Sequence, residues 1–72
     1  MERATLTEVK NDGQTLVLMD GRELDVDHRD NTMAILWLPT TVLEISETDV
    51  DPLFNLRVKV YGTNEEIRAS WK

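Results

Sequence analysis

The sequence predicts an all-β fold: a small antiparallel barrel of five or six strands, SH3-like or OB-like, with at most one short helical turn near residues 30–38. Short segments of alternating apolar and polar residues are separated by turn signals at close intervals, as in small barrels. A chain of 72 residues holds one domain, so residues 1–72 are expected to fold as a single unit. Closure of the barrel also removes the free strand edges that an open sheet of this size would expose.

Two glycine turns set the phase of the first three predicted strands, over residues 5–10, 14–19 and 22–27. Asn11-Asp12-Gly13 and Asp20-Gly21 supply residues that tolerate a positive φ, which tight hairpins require. The residues between and after these turns alternate, as in strands with one buried face. The residues expected to face inward are Leu16, Leu18, Leu24 and Val26. Those expected to face outward are Thr15, Val17, Met19, Glu23, Asp25 and Asp27.

Residues 28–41 are predicted to cross an open end of the barrel, and we name them the crossing segment. A polar stretch is followed by the apolar run 33–38, which is too short for periodicity to distinguish strand from helix. Asp30 or Thr32 is suited to cap a single helical turn that ends before Pro39, because the residue before a proline avoids the α region. The apolar side chains of this turn, with Trp37 foremost, are expected to plug the barrel end.

Three further strands are predicted over residues 41–46, 53–61 and 66–71. The acidic loop 47–52 and the turn Gly62-Thr63-Asn64 connect them. The residues expected to face inward are Leu43, Ile45, Phe54, Leu56, Val58, Val60, Ile67, Ala69 and Trp71. The residues of the longest strand expected to face outward are Asn55, Arg57, Lys59 and Tyr61.

Composition excludes several kinds of site and disfavours several partners. The chain has no cysteine, so it forms neither a disulfide nor a thiolate zinc site, and it fits a reducing compartment. The net charge of -6 repels nucleic acid and anionic lipid, because both are polyanions. No apolar run approaches the roughly 20 residues that cross a bilayer, and the N-terminus has no apolar signal region. A cytoplasmic protein without membrane contact is predicted.

Catalytic and metal-binding patterns are weak in this sequence. Asp25, Asp27 and Asp30 provide oxygen atoms, but a calcium loop needs further acids at fixed offsets and a central glycine, and Arg29 stands at its third ligand position. His28 is the only histidine, and no nucleophile or second catalytic group accompanies it. The sequence therefore predicts a protein that is not an enzyme and has no metal or cofactor.

Docking of a protein or peptide partner, a second copy of the chain included, is the predicted function. One candidate surface holds Val17 and Met19, and the further apolar residues expected outside are Val42, Leu53 and Met33. The other candidate surface is the outward row Arg57, Lys59 and Tyr61, joined across the hairpin by Arg68. Weak nucleic-acid binding through this basic row is the alternative function. The row also fits an ordinary solvated face whose cations pair with Glu65 and Glu66 across the strands.

Loop sequences in the middle of the chain resemble those of a family of small bacterial β-barrel proteins of unknown function. The segments are Val26-Asp27-His28-Arg29-Asp30 and Trp37-Leu38-Pro39-Thr40-Thr41, with Asp20-Gly21 before them and Ile67-Arg68-Ala69 near the end. In that family the two loops read like Val-Asp-Pro-Gly-Asp and Trp-Leu-Pro-Gly-Asp, so Thr40 stands here at a glycine position. The resemblance implies a compact barrel of bacterial origin. It transfers no activity and no site residue, because the family has no assigned activity.

Overall fold

The computed structural model of the protein describes residues 2–49 and 52–72. Its strands are β1 Glu2–Lys10, β2 Thr15–Leu18, β3 Glu23–Val26, β4 Val42–Glu47, β5 Leu56–Val60 and β6 Glu66–Trp71, with a 3-10 turn at Asn11–Gly13 and one α-helix, α1, at Asn31–Ala34. All strand pairs are antiparallel and close a barrel in the order β1-β2-β3-β6-β5-β4. The predicted all-β barrel is confirmed, with six strands and one short helix near residues 30–38.

The starts of β1 and β5 differ from the prediction by three residues, whereas those of β2, β3 and β4 differ by one. β1 begins at Glu2 rather than at residue 5, because Glu2 pairs with Ile45 of β4. β5 begins at Leu56 rather than at residue 53, because Leu56 pairs with the last residue of β4 and the ladder ends there. Phe54, predicted to face inward, therefore lies outside the strand and is half-buried.

Positive φ values confirm the two glycine turns. Gly13 has a φ of +91° and Gly21 a φ of +92°. In the second hairpin, Gly21 N donates to Leu18 O at 3.0 Å and Leu18 N donates to Arg22 O at 2.8 Å. This is a three-residue hairpin loop with glycine at its left-handed position. These bonds fix the phase of β2 and β3, and hence which of their residues face the core.

A β-bulge in β1 interrupts the alternation of side chains. The register between β1 and β2 shifts between Leu6 and Glu8, so Thr7 is the extra residue. Thr7 Oγ1 donates to Val17 O at 2.9 Å. Because of the bulge, Thr7 and Glu8 both lie outside, while Leu6 is buried and Val9 packs against the core three residues later.

The interior of the barrel is filled by its own apolar side chains. The buried set is Leu6, Leu16, Leu18, Leu24, Val26, Ala34, Trp37, Leu43, Ile45, Leu56, Val58, Ile67 and Ala69. The sequence predicts an inward orientation for all of these except Leu6. Because the interior is full, candidate sites are confined to the outer surface and the barrel ends.

Three side chains differ in burial from the prediction. Asp27, predicted outward, is buried, because β3 has ended and the chain turns there. Thr15, also predicted outward, is buried beneath the first turn, where Asn11 Nδ2 donates to Thr15 Oγ1 at 3.3 Å. Trp71, predicted inward, is 38% exposed at the end of the barrel, and the Arg22 guanidinium lies 4.5 Å from its ring centroid.

The crossing segment covers one end of the barrel as predicted, but through only two of its side chains. Ala34 and Trp37 are buried, and α1 ends well before Pro39. The other large apolar side chains of the run are exposed: Met33, Ile35, Leu36 and Leu38. The expectation that the whole apolar run plugs the barrel is wrong, because a single helical turn laid across an opening turns only one side toward the core. Asp30 occupies the N-cap position but makes no side-chain capping bond.

Candidate functional site

Four large apolar side chains of the crossing segment lie exposed on one helical turn and its extension. We define them as the crossing-segment patch: Met33, Ile35, Leu36 and Leu38, with exposed fractions of 37%, 47%, 75% and 71%. Met33 and Leu36 lie on one turn, in which Leu36 N donates to Met33 O at 3.2 Å, whereas Leu38 lies beyond that turn. Along the chain, the four exposed residues are interspersed with the buried Ala34 and Trp37. Single exposed apolar residues are ordinary on protein surfaces, whereas a contiguous group is typical of an interaction site.

The turn Asn11–Gly13 packs closely against the backbone that carries the patch. A Cβ atom on Gly13 would overlap Asn31 O and would lie 3.0 Å from Ile35 N and 3.1 Å from Ile35 Cβ. Ile35 N also donates to Asn31 O at 2.9 Å. Glycine is required here both by its φ of +91° and by this close approach. The first half of the patch is therefore held against the β1–β2 turn.

The end of the crossing segment is attached to β1 by backbone hydrogen bonds. Thr40 N donates to Leu6 O at 2.7 Å, and Leu6 N donates to Thr41 O at 2.8 Å. Thr41 also donates to Leu38 O, from its Oγ1 at 2.6 Å and from its N at 3.2 Å. The backbone of the patch is thus fixed on both sides of the buried Trp37.

Two local features of the crossing segment oppose folding. Thr40 has a φ of +74°, a left-handed conformation that is unfavourable for a β-branched residue. Trp37 Nε1 is buried and has no hydrogen-bond acceptor among the described residues. Each such feature costs about 1–3 kcal/mol. Departures from local consistency concentrate at functional sites, where another requirement outweighs stability.

The predicted surface around Val17 and Met19 is present in part. Met19 is exposed, and with Val42 it lines a shallow depression of about 350 Å³ over the start of β1. Val17 is half-buried and does not line the depression. Leu53 is exposed in the loop before β5 and does not line it either. Met33 belongs to the crossing-segment patch instead, so the structure joins only Met19 and Val42.

Arg22, at the edge of this depression, is bound to two carboxylates. Its Nε donates to Asp20 Oδ2 at 2.7 Å, and its terminal nitrogens donate to Glu2. These bonds hold the pKa of both carboxyls below their usual values and the pKa of Arg22 above its own. The guanidinium also lies over the ring of Trp71. The charge of Arg22 is therefore compensated within the chain.

Two cations of the predicted basic row are paired with acids on neighbouring strands. Arg57 Nε lies 3.0 Å from Glu66 Oε1 on β6, and Lys59 Nζ lies 4.0 Å from Glu44 Oε1 on β4. These are the cross-strand pairs expected of an ordinary solvated face. Glu66 takes the pairing role that the sequence suggests for it.

The remaining members of the basic row also have neighbours within the chain. Tyr61 is exposed, and the Arg3 guanidinium lies 4.4 Å from its ring centroid. Arg68 lies directly opposite Arg57 in the ladder between β5 and β6, and its backbone N donates to Asp30 Oδ2 at 2.9 Å. The structure therefore brings the four predicted residues onto one side of the barrel, with most of their positive charge compensated.

Asp27 and His28 lie in the loop that leads into α1. Arg29 donates to Asp27 from its backbone N at 3.0 Å and from its Nε at 2.9 Å. The hydrogen bonds from the Arg29 side chain are the main cause that lowers the pKa of Asp27 to about 2. Asp30 N donates to Asp27 O at 2.8 Å. Asp27 thus orders the turn, whereas the His28 side chain is exposed, with its Nδ1 4.0 Å from Asp27 Oδ1.

Residues 2–49 and 52–72 contain neither a cluster of metal ligands nor a membrane-spanning helix. Within these ranges no group of three or more His, Asp or Glu residues is placed to hold a metal ion. Asp25, Asp27 and Asp30 do not converge on such a site. No helix in the same ranges has the length and apolar character needed to cross a membrane. Of the acidic loop, Asp51 lies outside the described residues.

Sequence reasoning misses the crossing-segment patch because it assigns the whole run 33–38 to the core. The spacing of Ala34 and Trp37 is the signal that could have identified the patch. In one helical turn, residues three apart share a side, so two of six consecutive apolar residues can face the barrel while the others face away. The uncharged stretch 31–43 is a second signal, since exposed polypeptide of that length usually carries charge.

Comparison of the chain with protein-family models, with curated proteins and with solved structures finds no match. The barrel implied by the resemblance to small bacterial β-proteins is confirmed by the structure, whereas membership of that family and a bacterial origin stay predictions.

Proposed function

We propose that the protein is a non-catalytic interaction module that docks a protein or peptide partner on the crossing-segment patch. The observation that carries this proposal is the patch itself, whose most exposed member, Leu36, is 75% exposed. Burial of apolar surface stabilises a complex by about 25 cal/mol per Å². A backbone that is already fixed loses little conformational entropy when the partner binds. Exposed apolar groups on an ordered support are therefore well suited to docking.

Two features of the crossing segment that lower the stability of the fold support this proposal. Both costs fall on residues that lie beside the patch: Thr40 has a left-handed backbone, and the indole nitrogen of Trp37 has no hydrogen-bond acceptor among the described residues. A segment that served only to close the barrel would gain stability from glycine at position 40, and polar residues at the exposed positions 36 and 38 would cost it little stability. Retention of apolar residues at exposed positions fits a surface that a partner covers.

Docking on Met19 and Val42 is a second, weaker proposal, because these are the only large apolar side chains that line that depression, and its other lining residues include four charged ones. Weak nucleic-acid binding through Arg57, Lys59, Tyr61 and Arg68 is weaker still. Cations that are paired within the chain release fewer counterions from a nucleic acid, so they contribute less to binding. A place in the cytoplasm, which the cysteine-free composition supports, is part of the proposal, as is the bacterial origin that the resemblance implies.

The test compares three variants of the purified protein in capture experiments from cell extract. Leu36→Asp places a charge in the crossing-segment patch, and Met19→Asp places one in the depression over β1. Leu53→Asp is the matched control, because Leu53 is 77% exposed and the added charge is the same. We expect a partner retained by the wild type, by Met19→Asp and by Leu53→Asp to be lost by Leu36→Asp.

Two outcomes would count against the proposed site. Loss of the partner with Met19→Asp alone would move the site to the depression. A fourth variant, Arg57→Glu combined with Lys59→Glu, is included for the basic row, and loss with that variant alone would move the site there. Light scattering on the same samples detects a second copy as the partner, since Leu36→Asp would then convert a dimer into a monomer.

A further inference from the structure

We propose that the occupant of the crossing-segment patch is a short basic segment of a partner protein, in which Lys or Arg residues alternate with two or three large apolar residues. The inference rests on the proposed function and names the chemistry of its partner. It follows from the size of the patch, from the charge of the whole chain and from the charges next to α1.

The size of the patch favours a short peptide segment over a folded partner or a second copy. Stable protein interfaces bury about 800 Å² on each partner and use roughly 20–30 residues a side. The patch contributes four apolar side chains, and the chain around them is a single turn and its extension. Two copies would also each bring a net charge of -6 to the contact. A segment that places two or three apolar side chains on the patch matches its dimensions.

The charge of the chain favours a basic partner. At least six of its eight basic side chains are held in ion pairs within the chain: Arg3, Arg22, Arg29, Arg57, Lys59 and Lys72. Several carboxylates have no ion pair with the described basic residues: Glu8, Asp12, Asp25, Glu47, Asp49 and Glu65. The field that an approaching segment meets is therefore negative, which speeds association of a basic segment and disfavours an acidic one.

The charges closest to the patch along the chain also allow a basic partner. Residues 31–43 carry no charge, so the patch itself repels neither sign. Asp30 precedes α1 directly and accepts a bond from the backbone N of Arg68, while the neighbouring Arg29 is paired with Asp27. Asp12 is exposed in the turn that packs against α1 through Gly13. Lys10 is the only basic residue in that turn region, and it precedes the turn at the end of β1. Apolar anchors on the patch would place flanking cations of the partner near Asp12 and Asp30.

The experiment uses three fluorescent peptides of about 12 residues with the same leucine and isoleucine positions. Their remaining positions are lysine and arginine, serine and glycine, or glutamate. Anisotropy titrations at low and at physiological salt measure their affinity for the wild type, for Leu36→Asp, for Leu53→Asp and for Asp12→Lys. The two aspartate variants carry the same net charge, so they separate loss of the apolar contact from a change in overall field.

We expect the basic peptide to bind at least tenfold more tightly than the serine-glycine peptide, and the glutamate peptide to bind least. Leu36→Asp should weaken binding of the basic peptide tenfold or more, whereas Leu53→Asp should weaken it no more than about twofold. Asp12→Lys should weaken it a few-fold and reduce its salt dependence.

Three results would overturn the inference, and they differ in what they say about the proposed function. Equal binding of all three peptides with loss in Leu36→Asp would keep the patch and refute the basic partner. Equally tight binding of the basic peptide by the wild type, Leu36→Asp and Leu53→Asp would show attraction by net charge without use of the patch. No binding of any peptide, or a dimer that Leu36→Asp dissociates, would refute a short basic segment and leave the patch to be judged by the capture experiment.

Discussion

Replacement of Gly13 by alanine tests how tightly the crossing segment is held on the barrel. Gly13 combines a φ of +91° with a backbone oxygen in the space that a Cβ atom would occupy. Gly21 and Gly62 have similar φ values, +92° and +83°, but nothing lies within 4 Å of a Cβ at either position. The three glycines therefore separate the cost of the left-handed backbone from the cost of the close packing.

The expected loss in free energy of unfolding is the sum of these two costs. A left-handed alanine costs about 1–2 kcal/mol, partly offset by the smaller entropy of the unfolded chain, so Gly21→Ala and Gly62→Ala should each lose about 1 kcal/mol. At Gly13 the added methyl group overlaps Asn31 O, which is backbone and cannot rotate away. Displacement of α1 adds about 1–3 kcal/mol. The total loss for Gly13→Ala is then about 3 kcal/mol.

Urea and thermal unfolding of the three alanine variants provide the assay. For a domain of this size, 1 kcal/mol corresponds to about 4–8 °C in Tm, so Gly13→Ala should melt about 8–16 °C below Gly21→Ala. Gly62→Ala should match Gly21→Ala. A Gly13→Ala variant as stable as the two controls would show that α1 yields at little cost, and the rigid support assigned to the patch would be refuted.

Three further outcomes follow from individual side chains. Thr40→Gly should raise the free energy of unfolding by about 1 kcal/mol, because it removes left-handed strain at an exposed residue, and an unchanged or lower urea midpoint would contradict this. The folded pKa of Asp27, about 2, lies below its unfolded value of about 3.9, so its pairing with Arg29 stabilises the fold above about pH 4 and is lost as the pH falls toward 2. Urea midpoints between pH 2 and 6 should show a loss of about 1–2 kcal/mol, allowing for the solvent around Arg29, and Asp27→Asn should lack this pH dependence, so an identical profile would refute it. Trp37→Ala should lose about 3–5 kcal/mol in denaturant unfolding while Leu36→Ala loses under about 0.5, and similar losses would contradict the buried and exposed positions of the two residues.

Much of the barrel is predictable from local sequence, because the glycine turns fix the phase of the strands that they join. Leu16, Leu18, Leu24 and Val26 are buried as alternation requires. The same rule fails at Asp27, where the strand has already ended. Alternation holds only while the chain stays in a ladder, and the residue at which the ladder stops depends on partners distant in the sequence.

The bulge in β1 shows the same limit. Leu6 is fully buried although simple alternation from the first turn does not single it out, and the shift of register at Thr7 is set by pairing with β2. The pairing of the Arg57 and Lys59 charges with carboxylates likewise depends on which strands become neighbours around the barrel. Strand order is decided by closure, which no short stretch of sequence encodes.

The crossing-segment patch was hidden from sequence reasoning for a different reason. An apolar run predicts burial by composition, yet the area available at the end of a small barrel accommodates only Ala34 and Trp37. How many of the apolar side chains fit depends on the width of the opening and on the turn that packs beside it. Both are properties of the assembled barrel. The absence of a Cβ atom at Gly13 allows the β1–β2 turn to approach the backbone of α1 closely.

The most direct test of the crossing-segment patch as the docking surface is a chemical-shift map of the ¹⁵N-labelled protein titrated with the basic peptide. If the patch is the docking surface, the perturbed amides lie in residues 31–41 and in Asn11–Gly13. Leu36→Asp then abolishes the perturbations, while Leu53→Asp leaves them in place. Perturbations centred on Met19 and Val42 or on Arg57 and Lys59, with residues 31–41 unaffected, would contradict it.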